Sequence, residues 1–274
     1  MTGLNMLAGW TTVGDTIMIE QMPILGGYTG GVEETAICDV ATMIASFAIF
    51  DCDIHLDGPI HIRWGTTSTR ETLTIAAHAA AALDMNTDFL LANQYYTLAG
   101  PCTQMCLLEI AAQAITDTAS GRELLSGVAS AKGVTQNKTT GMEARMMGEV
   151  ALATCGMEIS TVNSILDQVI GMYEKDFVHA PQGKSFKDCY DVKELEPSDE
   201  YVDIYDQTID LLTALPVLKR LADRPLAVCW DGEPGGTTAL EDTAILEMAD
   251  IDAKLIREGE ADAARQAGAG QILF

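Results

Sequence analysis

The sequence predicts an α/β fold in which parallel strands alternate with helices, as a parallel α/β barrel or part of one. Three short apolar runs predict it, because each ends on polar side chains that a buried strand does not favour. Residues 16–19 end on Glu20, residues 54–62 carry His55, Asp57 and His61, and residues 89–92 end on Asn93, Gln94, Tyr95 and Tyr96. Strands that end on polar groups and then turn into helices build active sites at the carboxyl-end mouth of such barrels.

The predicted elements alternate along the first half of the chain. Strands are expected over residues 4–10, 15–21, 53–63 and 87–96, and helices over 33–50, 70–84 and 100–118. Ser68-Thr69-Arg70-Glu71 resembles a capping box, and Pro101 suits the first turn of a helix. The glycine-rich stretch 26–31 is interpreted as a flexible loop over the mouth, with phosphate binding as a minor alternative. This alternation favours a parallel sheet.

After Gly121 the strands are expected to fade, and we expect helices capped by Thr140, Ser160 and Ser198, with a Met-rich core helix following Thr140. A turn at residues 231–236 precedes an acidic helix capped by Thr238. The predicted organisation has three parts. These are the C-terminal part of a β/α barrel over residues 1–125, a helical region over 126–222 that packs on the barrel, and an acidic helical tail of unknown role over 223–274.

Composition excludes several classes of protein. Hydrophobic residues make up 48% and charged residues 20%, which indicates a globular chain. No apolar run approaches the roughly 20 residues that span a bilayer, and no signal peptide is evident, so we expect a soluble cytoplasmic protein. The net charge of −24 makes nucleic acid and anionic membranes poor partners. It fits a salt-rich cytoplasm and ordinary acidic solubility equally well.

Cysteine and histidine usage leaves a metal site as a minor alternative. The seven cysteines are irregularly spaced, which fits free thiols, and Cys102 and Cys106 are expected as buried thiols on one helix face. His55, Asp57 and His61 could form a metal set only if their strand stays regular. Gly58-Pro59 interrupts it, so structural or pocket-shaping roles are favoured. For Arg63 a surface ion pair is expected.

Several longer runs closely resemble the monomethylamine methyltransferases of methylotrophic methanogenic archaea. They include Glu20-Gln21-Met22-Pro23-Ile24, His55-Leu56-Asp57-Gly58-Pro59, Asn93-Gln94-Tyr95-Tyr96, Ala99-Gly100-Pro101-Cys102-Thr103, Thr116-Asp117-Thr118-Ala119-Ser120-Gly121-Arg122-Glu123, and Lys138-Thr139-Thr140-Gly141-Met142-Glu143-Ala144-Arg145-Met146-Met147-Gly148-Glu149. The likeness extends over residues 4–205 and corresponds to the C-terminal half of the family's protein.

The resemblance implies a TIM-type (β/α)8 barrel that assembles as a homo-oligomer. It also implies transfer of a methyl group from monomethylamine to the cobalt of a corrinoid carried by a separate partner protein, with no cofactor or metal bound directly. The family captures the amine with a pyrrolysine, which this chain lacks. The carboxylate, amide and phenol that line the family's cavity fall here on Glu20 as catalytic residue and on Gln94 and Tyr96 as substrate-binding residues.

These residue types suit the chemistry. Methyl transfer needs a protonated nitrogen as leaving group, and a carboxylate such as Glu20 can hold its charge and manage its proton. Gln94 and Tyr96, two residues apart on one strand, point to the same side and can orient the substrate by hydrogen bonds. From the residues alone, a satisfied polar group at a barrel rim is an equally good interpretation; the family resemblance favours the site role.

The departures from the family lead to further expectations. With no pyrrolysine and without the early barrel strands, residues 1–274 alone are expected not to perform the reaction. Our hypothesis is that the gene reads through an amber codon upstream of Met1, which DNA sequencing would test. Two alternatives stay open: a non-catalytic fragment or assembly partner, and a metal-dependent barrel lyase that uses His55 and His61.

Overall fold

The computed structural model describes residues 2–215, where helices and short strands alternate. The helices are α1 (Thr2–Val13), α2 (Val32–Phe50), α3 (Arg70–Asp84), α4 (Gln104–Ala119), α5 (Gly141–Thr154), α6 (Ile159–Tyr173), α7 (Phe186–Cys189) and α8 (Asp199–Ala214). The strands are β1 (Met18–Glu20), β2 (Ile24–Leu25), β3 (Ile54–Asp57), β4 (Ile60–His61), β5 (Leu90–Tyr96), β6 (Leu124–Ala129), β7 (Tyr190–Asp191) and β8 (Glu196–Pro197). No described helix is both long and apolar enough to cross a bilayer.

Four strands form a parallel sheet in the order β1-β3-β5-β6. Each strand therefore lies beside the next long strand of the chain, with a helix between them, and the order never reverses. Winding in one direction is the pattern of a barrel, whereas an open doubly wound sheet reverses at a switch point. The short parallel pair β2-β4 prolongs β1 and β3 beyond the breaks at Pro23 and Gly58-Pro59.

Helices cover one face of this sheet and form the core. Met43 of α2 packs with Ala79 and Leu83 of α3 against Leu91 of β5. Helix α4 is buried on all sides from Met105 to Asp117, because it lies in the large cluster shared with α5, α6 and α8. An apolar environment around the whole circumference explains why the α4 sequence lacks a clear polar face.

The other face of the sheet is open. Its apolar side chains Met18, Leu90 and Leu124 are 41%, 47% and 40% exposed. Met18 lies in register with Ile54 and Ile54 with Leu90, so these side chains line one row across three strands. Parallel sheets in proteins are normally covered on both faces, so this face is suited to packing against further structure.

The predicted strand over residues 4–10 is wrong, since the segment lies within α1. Leu4, Leu7 and Trp10 recur every three residues, and a short apolar run with this spacing fits a helix as well as a strand. The hydroxyls of Thr11 and Thr12 donate to carbonyls four residues earlier, which keeps their hydrogen bonds within the helix.

The expectation that strands fade after Gly121 is wrong at Leu124–Ala129, because β6 extends the sheet beside β5. Its central Ser126-Gly127 weakens the apolar signal of the strand. Its pairing with β5, which is a tertiary contact, decides that this segment forms a strand. The short β7-β8 hairpin lies in the same expected helical region.

Helix boundaries differ from the predictions at three places. Helix α3 is capped by Thr69 with Thr72 rather than by Ser68 with Glu71. Helix α4 begins at Gln104 after the Thr103 cap, not at Pro101. Helix α6 begins at Ile159 rather than after Ser160, and a 3₁₀ segment (Glu174–His179) follows it. A hydroxyl caps a helix only at the residue where the backbone turns into it. Because several Ser and Thr residues stand close together at these sites, the sequence alone does not show which of them is the cap.

Other predicted boundaries are confirmed. Thr140 and Glu143 form the capping box of α5, and Ser198 caps α8. Met142 and Met146 are buried in the core. The turn at 231–236, the helix after Thr238 and the tail over 223–274 lie outside the described residues. The division into three parts stays a prediction.

Candidate active site

The sheet register places Glu20, Gln94 and Tyr96 on its open face. Glu20 lies beside Leu56, and Leu56 lies beside Ala92. Because side chains alternate along a strand, Gln94 and Tyr96 share the side of Ala92 and follow it toward the carboxyl end of β5. All three predicted site residues therefore occupy one face and one end of the sheet.

The electrostatics of Tyr96 show that Glu20 is near it. Burial raises the pKa of the Tyr96 phenol, and the negative charge of Glu20 raises it further. The phenol, which is protonated at neutral pH even at its ordinary pKa, therefore keeps its hydrogen-bond-donating form to still higher pH. Glu20 is exposed on the open face, so its carboxylate is accessible to a small cation.

Two glycines make room for these side chains. A Cβ added to Gly133 would lie 2.7 Å from Cε1 of Tyr96, and one added to Gly127 would overlap Nε2 of Gln94. Both glycines have positive φ, 67° and 84°, which other residues rarely adopt. The strand β6 and the loop that follows it thus approach the site residues only because glycine stands at these positions.

Gly127→Ala is expected to displace the amide of Gln94 and weaken amine binding several-fold, while costing about 1 kcal/mol of stability through backbone strain. Gly156→Ala is the matched control, because Gly156 has φ 73° and open space around its Cα. Calorimetric titration with monomethylamine and urea unfolding would measure the two effects. Equal amine binding by both variants would contradict a role for the Gln94 amide.

The residues of the possible metal set do not share the open face. His55 is buried on the helix-covered side, where its Nδ1 lies 2.9 Å from Oγ of Ser46. Asp57 is ion-paired with Arg122 on the same side. His61 lies beyond the break at Gly58-Pro59, where its Nδ1 accepts a hydrogen bond from the amide of Arg63. Within residues 2–215 no group of three His, Cys, Asp or Glu side chains could hold a metal ion.

Arg63 and the two free cysteines Cys102 and Cys106 also differ from expectation. The Arg63 guanidinium lies 4.4 Å from the ring centroid of Trp64, a cation–π contact. Among residues 2–215 it forms none of the salt bridges, so the predicted surface ion pair is not seen there. Cys102 and Cys106 are both buried as expected, but Cys102 precedes α4 and does not share its helical face. The thiol of Cys106 is 3.4 Å from Oγ1 of Thr97.

The glycine-rich stretch 26–31 is a turn closed by a 2.8 Å hydrogen bond from the amide of Gly26 to the carbonyl of Gly30.

Behind the sheet, a buried ionic network supports β5. The guanidinium of Arg122 pairs with Asp57 at 2.6 Å and with Asp117 at 3.0 Å, and all three side chains are inaccessible to solvent. Arg122 also donates to the carbonyls of Ala76 and Ala92. The Asn93 amide donates to both oxygens of Asp117 at 3.0 and 2.8 Å. The backbone that carries Gln94 and Tyr96 is therefore fixed by contacts on its opposite side.

A third carboxyl group completes this network. Asp39 of α2 is fully buried, and burial, followed by the charge of Asp57, raises its pKa well above the ordinary value. Asp39 therefore favours its protonated, neutral form. Burial also raises the pKa of Asp117 to about 6, against the opposing effect of Arg122. The Arg122 guanidinium thus pairs with the carboxyl groups of Asp57 and Asp117, while that of Asp39 favours its protonated form.

Glu109 of α4 anchors the segment that follows β5. Its carboxyl accepts hydrogen bonds from the amides of Leu98 and Ala99 at 2.7 and 2.9 Å and from Oγ of Ser68 at 2.5 Å. Burial raises its pKa to about 7 although these hydrogen bonds oppose the shift. The same carboxyl group therefore joins the loop before α3 to the loop before α4.

The raised pKa of Glu109 predicts that the free energy of unfolding depends on pH. Between pH 4.5 and about 7 the folded carboxyl keeps its proton while the unfolded one releases it, so its contribution to stability falls as pH rises. Glu109→Gln should remove up to about 3 kcal/mol of this dependence. Urea unfolding across that range would measure it, with the exposed Glu71→Gln as control. Parallel profiles for wild type and Glu109→Gln would contradict the assignment. The opposing contribution of His55, whose pKa burial lowers to about 4, cancels in the comparison.

Sequence reasoning missed Arg122, Asp117, Glu109 and the two glycines as supports of the site. Two residues of the α4 sequence carried a signal for such supports. Glu109 and Asp117 are charged residues within a largely apolar helix, and charged residues need partners when they are buried. Which residues supply those partners is decided by contacts distant in sequence.

Comparisons with known proteins find a matching family model and several relatives. A family model described as "Monomethylamine methyltransferase MtmB" matches residues 1–217. MtmB1 of Methanosarcina acetivorans is 61% identical over 206 residues, and MtmB of Methanosarcina mazei is 60% identical over 206; in both cases 75% of this chain and 45% of the relative are covered. The chain thus spans about half the length of these curated relatives.

Two solved structures are also similar. The crystal structure of the Methanosarcina barkeri monomethylamine methyltransferase MtmB superimposes with a TM-score of 0.76 at 60% identity, covering 77% of this chain and 46% of that chain. The crystal structure of the hydroxylamine complex of MtmB gives the same values. The fold predicted from the sequence is therefore confirmed as α/β, of the TIM-barrel family.

Proposed function

The chain belongs to the monomethylamine methyltransferase MtmB family, and from this premise we propose that it provides the carboxylate, amide and phenol of a site that moves a methyl group from monomethylamine to the cobalt of a corrinoid protein. The match across residues 1–217 carries the proposal. The proximity of Glu20 to Tyr96 on the open face supports it.

In the proposed reaction the carbon–nitrogen bond of the substrate breaks and the methyl group passes to cobalt, while the electron pair stays on nitrogen. Nitrogen leaves easily only when it is protonated, so the site must bind a cation. Glu20 supplies the opposing charge and holds the proton on nitrogen. The corrinoid supplies the electron pair that forms the new bond to the methyl carbon.

Gln94 and Tyr96 orient the substrate in this proposal. The protonated Tyr96 phenol donates a hydrogen bond, and the Gln94 amide can both donate and accept. Their positions are restricted by Gly133 and Gly127, so little freedom is lost on binding.

We further propose that residues 1–274 do not complete the reaction alone. The described sheet has four parallel strands and an open apolar face, whereas an enclosed site needs that face covered. The family's pyrrolysine does not occur in this sequence. The same open face favours a second candidate function, an assembly partner that packs against a separately made polypeptide.

The test follows the methyl group of isotopically labelled monomethylamine. Native protein from the source organism should transfer label to its corrinoid protein and have an intact mass above 29.3 kDa, whereas residues 1–274 alone should not transfer it. Failure of the native protein under conditions where the M. barkeri enzyme is active would refute the methyltransferase proposal. Activity that appears only on adding a second polypeptide would support the assembly-partner role. Sedimentation would test the expected homo-oligomer.

A further inference from the structure

An open cavity of about 460 Å³ lies beside Tyr96, at the carboxyl end of β6. Ala129 of its wall is in register with Tyr96, and Gly133 of its wall approaches the Tyr96 ring. The proposed site and the cavity thus share a wall. The lining residues are Ala129, Ser130, Gly133, Thr135, Asn137, Lys138, Thr139 and Phe186.

The loop that forms the cavity is held in place by hydrogen bonds. The amides of Ala131 and Lys132 donate to the carbonyls of Ala99 and Thr97 at 3.0 and 2.7 Å, which fixes the loop on the end of β5. The amide of Phe186 donates to the carbonyl of Asn137 at 2.7 Å, which brings the aromatic wall against the loop. The cavity is therefore preformed, as small-molecule sites usually are.

The lining presents neutral hydrogen-bonding groups and one aromatic wall. Asn137 contributes an amide, and Thr135 contributes a hydroxyl. The charge of Lys138 is already engaged, because its Nζ donates to the carbonyls of Gln182 and Gly183 at 2.8 and 2.7 Å. Because Lys138 is already held by two carbonyls and the other polar lining groups are neutral donors and acceptors, the lining fits a neutral amide.

We propose that this cavity binds primary-amide side chains on the periphery of the corrinoid, an inference that rests on the proposed function. Methyl transfer requires the cobalt to approach the amine held beside Tyr96. A corrin ring is wider than that contact, and its acetamide and propionamide side chains then reach the groups around Tyr96. Binding them in this cavity fixes the orientation of the acceptor relative to Glu20 and Tyr96.

The test uses dicyanocobinamide as probe, because its cyanide ligands block the cobalt and leave only the periphery to be recognised. Dicyanocobyrinic acid, which has carboxylates in place of the amides, is the matched ligand. Isothermal titration of the chain should show cobinamide binding at least about tenfold tighter than cobyrinic acid. Asn137→Asp and Thr135→Val should each weaken cobinamide binding about tenfold.

Asn86→Asp is the matched control, since it makes the same chemical change after α3, at the amino end of the sheet, and should leave binding unchanged. Circular dichroism checks that all variants fold. Absence of cobinamide binding, equal binding of the acid, or insensitivity to both cavity variants would overturn the proposal. Labelled methyl transfer is measured separately: cavity-dependent binding without any transfer by native protein would refute the function and not the site.

Discussion

Glu20→Gln is expected to lower kcat/KM for monomethylamine by about a hundredfold or more in the native protein. The substitution keeps the size of the side chain and removes its charge, so the cationic nitrogen loses its electrostatic partner. The pKa of Tyr96 should fall toward its ordinary value in the variant, because the charge of Glu20 is one cause of its increase. Steady-state kinetics and spectroscopic titration of the phenol would measure the two effects.

Glu33→Gln provides the control for this prediction, because it removes an exposed carboxylate from the first turn of α2. It should leave kcat/KM within about twofold and change stability by less than about 1 kcal/mol. Unchanged kinetics in Glu20→Gln would show that Glu20 is an ordinary rim residue. A lower kcat/KM with an unchanged Tyr96 titration would place the effect of Glu20 away from Tyr96.

Arg122→Ala is expected to lower the free energy of unfolding by about 3–5 kcal/mol at neutral pH. The change leaves Asp57 and Asp117 buried without their cation, next to the neutral Asp39. It also removes the donor to the carbonyl of Ala92 in β5. The loss should shrink as pH falls, because protonation neutralises the carboxylates and removes the cost of burying them. Urea unfolding at several pH values would measure this.

Arg70→Ala is the matched control. Arg70 also pairs with two carboxylates, Asp167 and Glu174, but its side chain is 28% exposed and the pairs lie at the surface. Its removal should cost less than about 1 kcal/mol. Similar losses for the two variants would mean that burial does not increase the importance of the Arg122 network.

Local sequence was sufficient where short-range chemistry decides the structure. The capping box of Thr140 and Glu143 and the cap at Ser198 were predicted correctly, because these hydrogen bonds join residues within one turn. The polar strand ends also predicted that Glu20, Gln94 and Tyr96 share one edge of a parallel sheet. Local sequence failed at α1 and β6, since a short apolar run takes the conformation that its neighbours support.

The sequence by itself determined the parallel α/β class, the family and the three candidate site residues. It did so because strand periodicity, helix caps and long matching runs can be read without knowledge of contacts. Only the tertiary structure separated the two faces of the sheet, with Glu20, Gln94 and Tyr96 on the open side and His55 and Asp57 on the covered side. It also paired Asp57 with Arg122, 65 residues away. Such pairings depend on which elements pack together, and burial makes them strong because solvent no longer screens the charges.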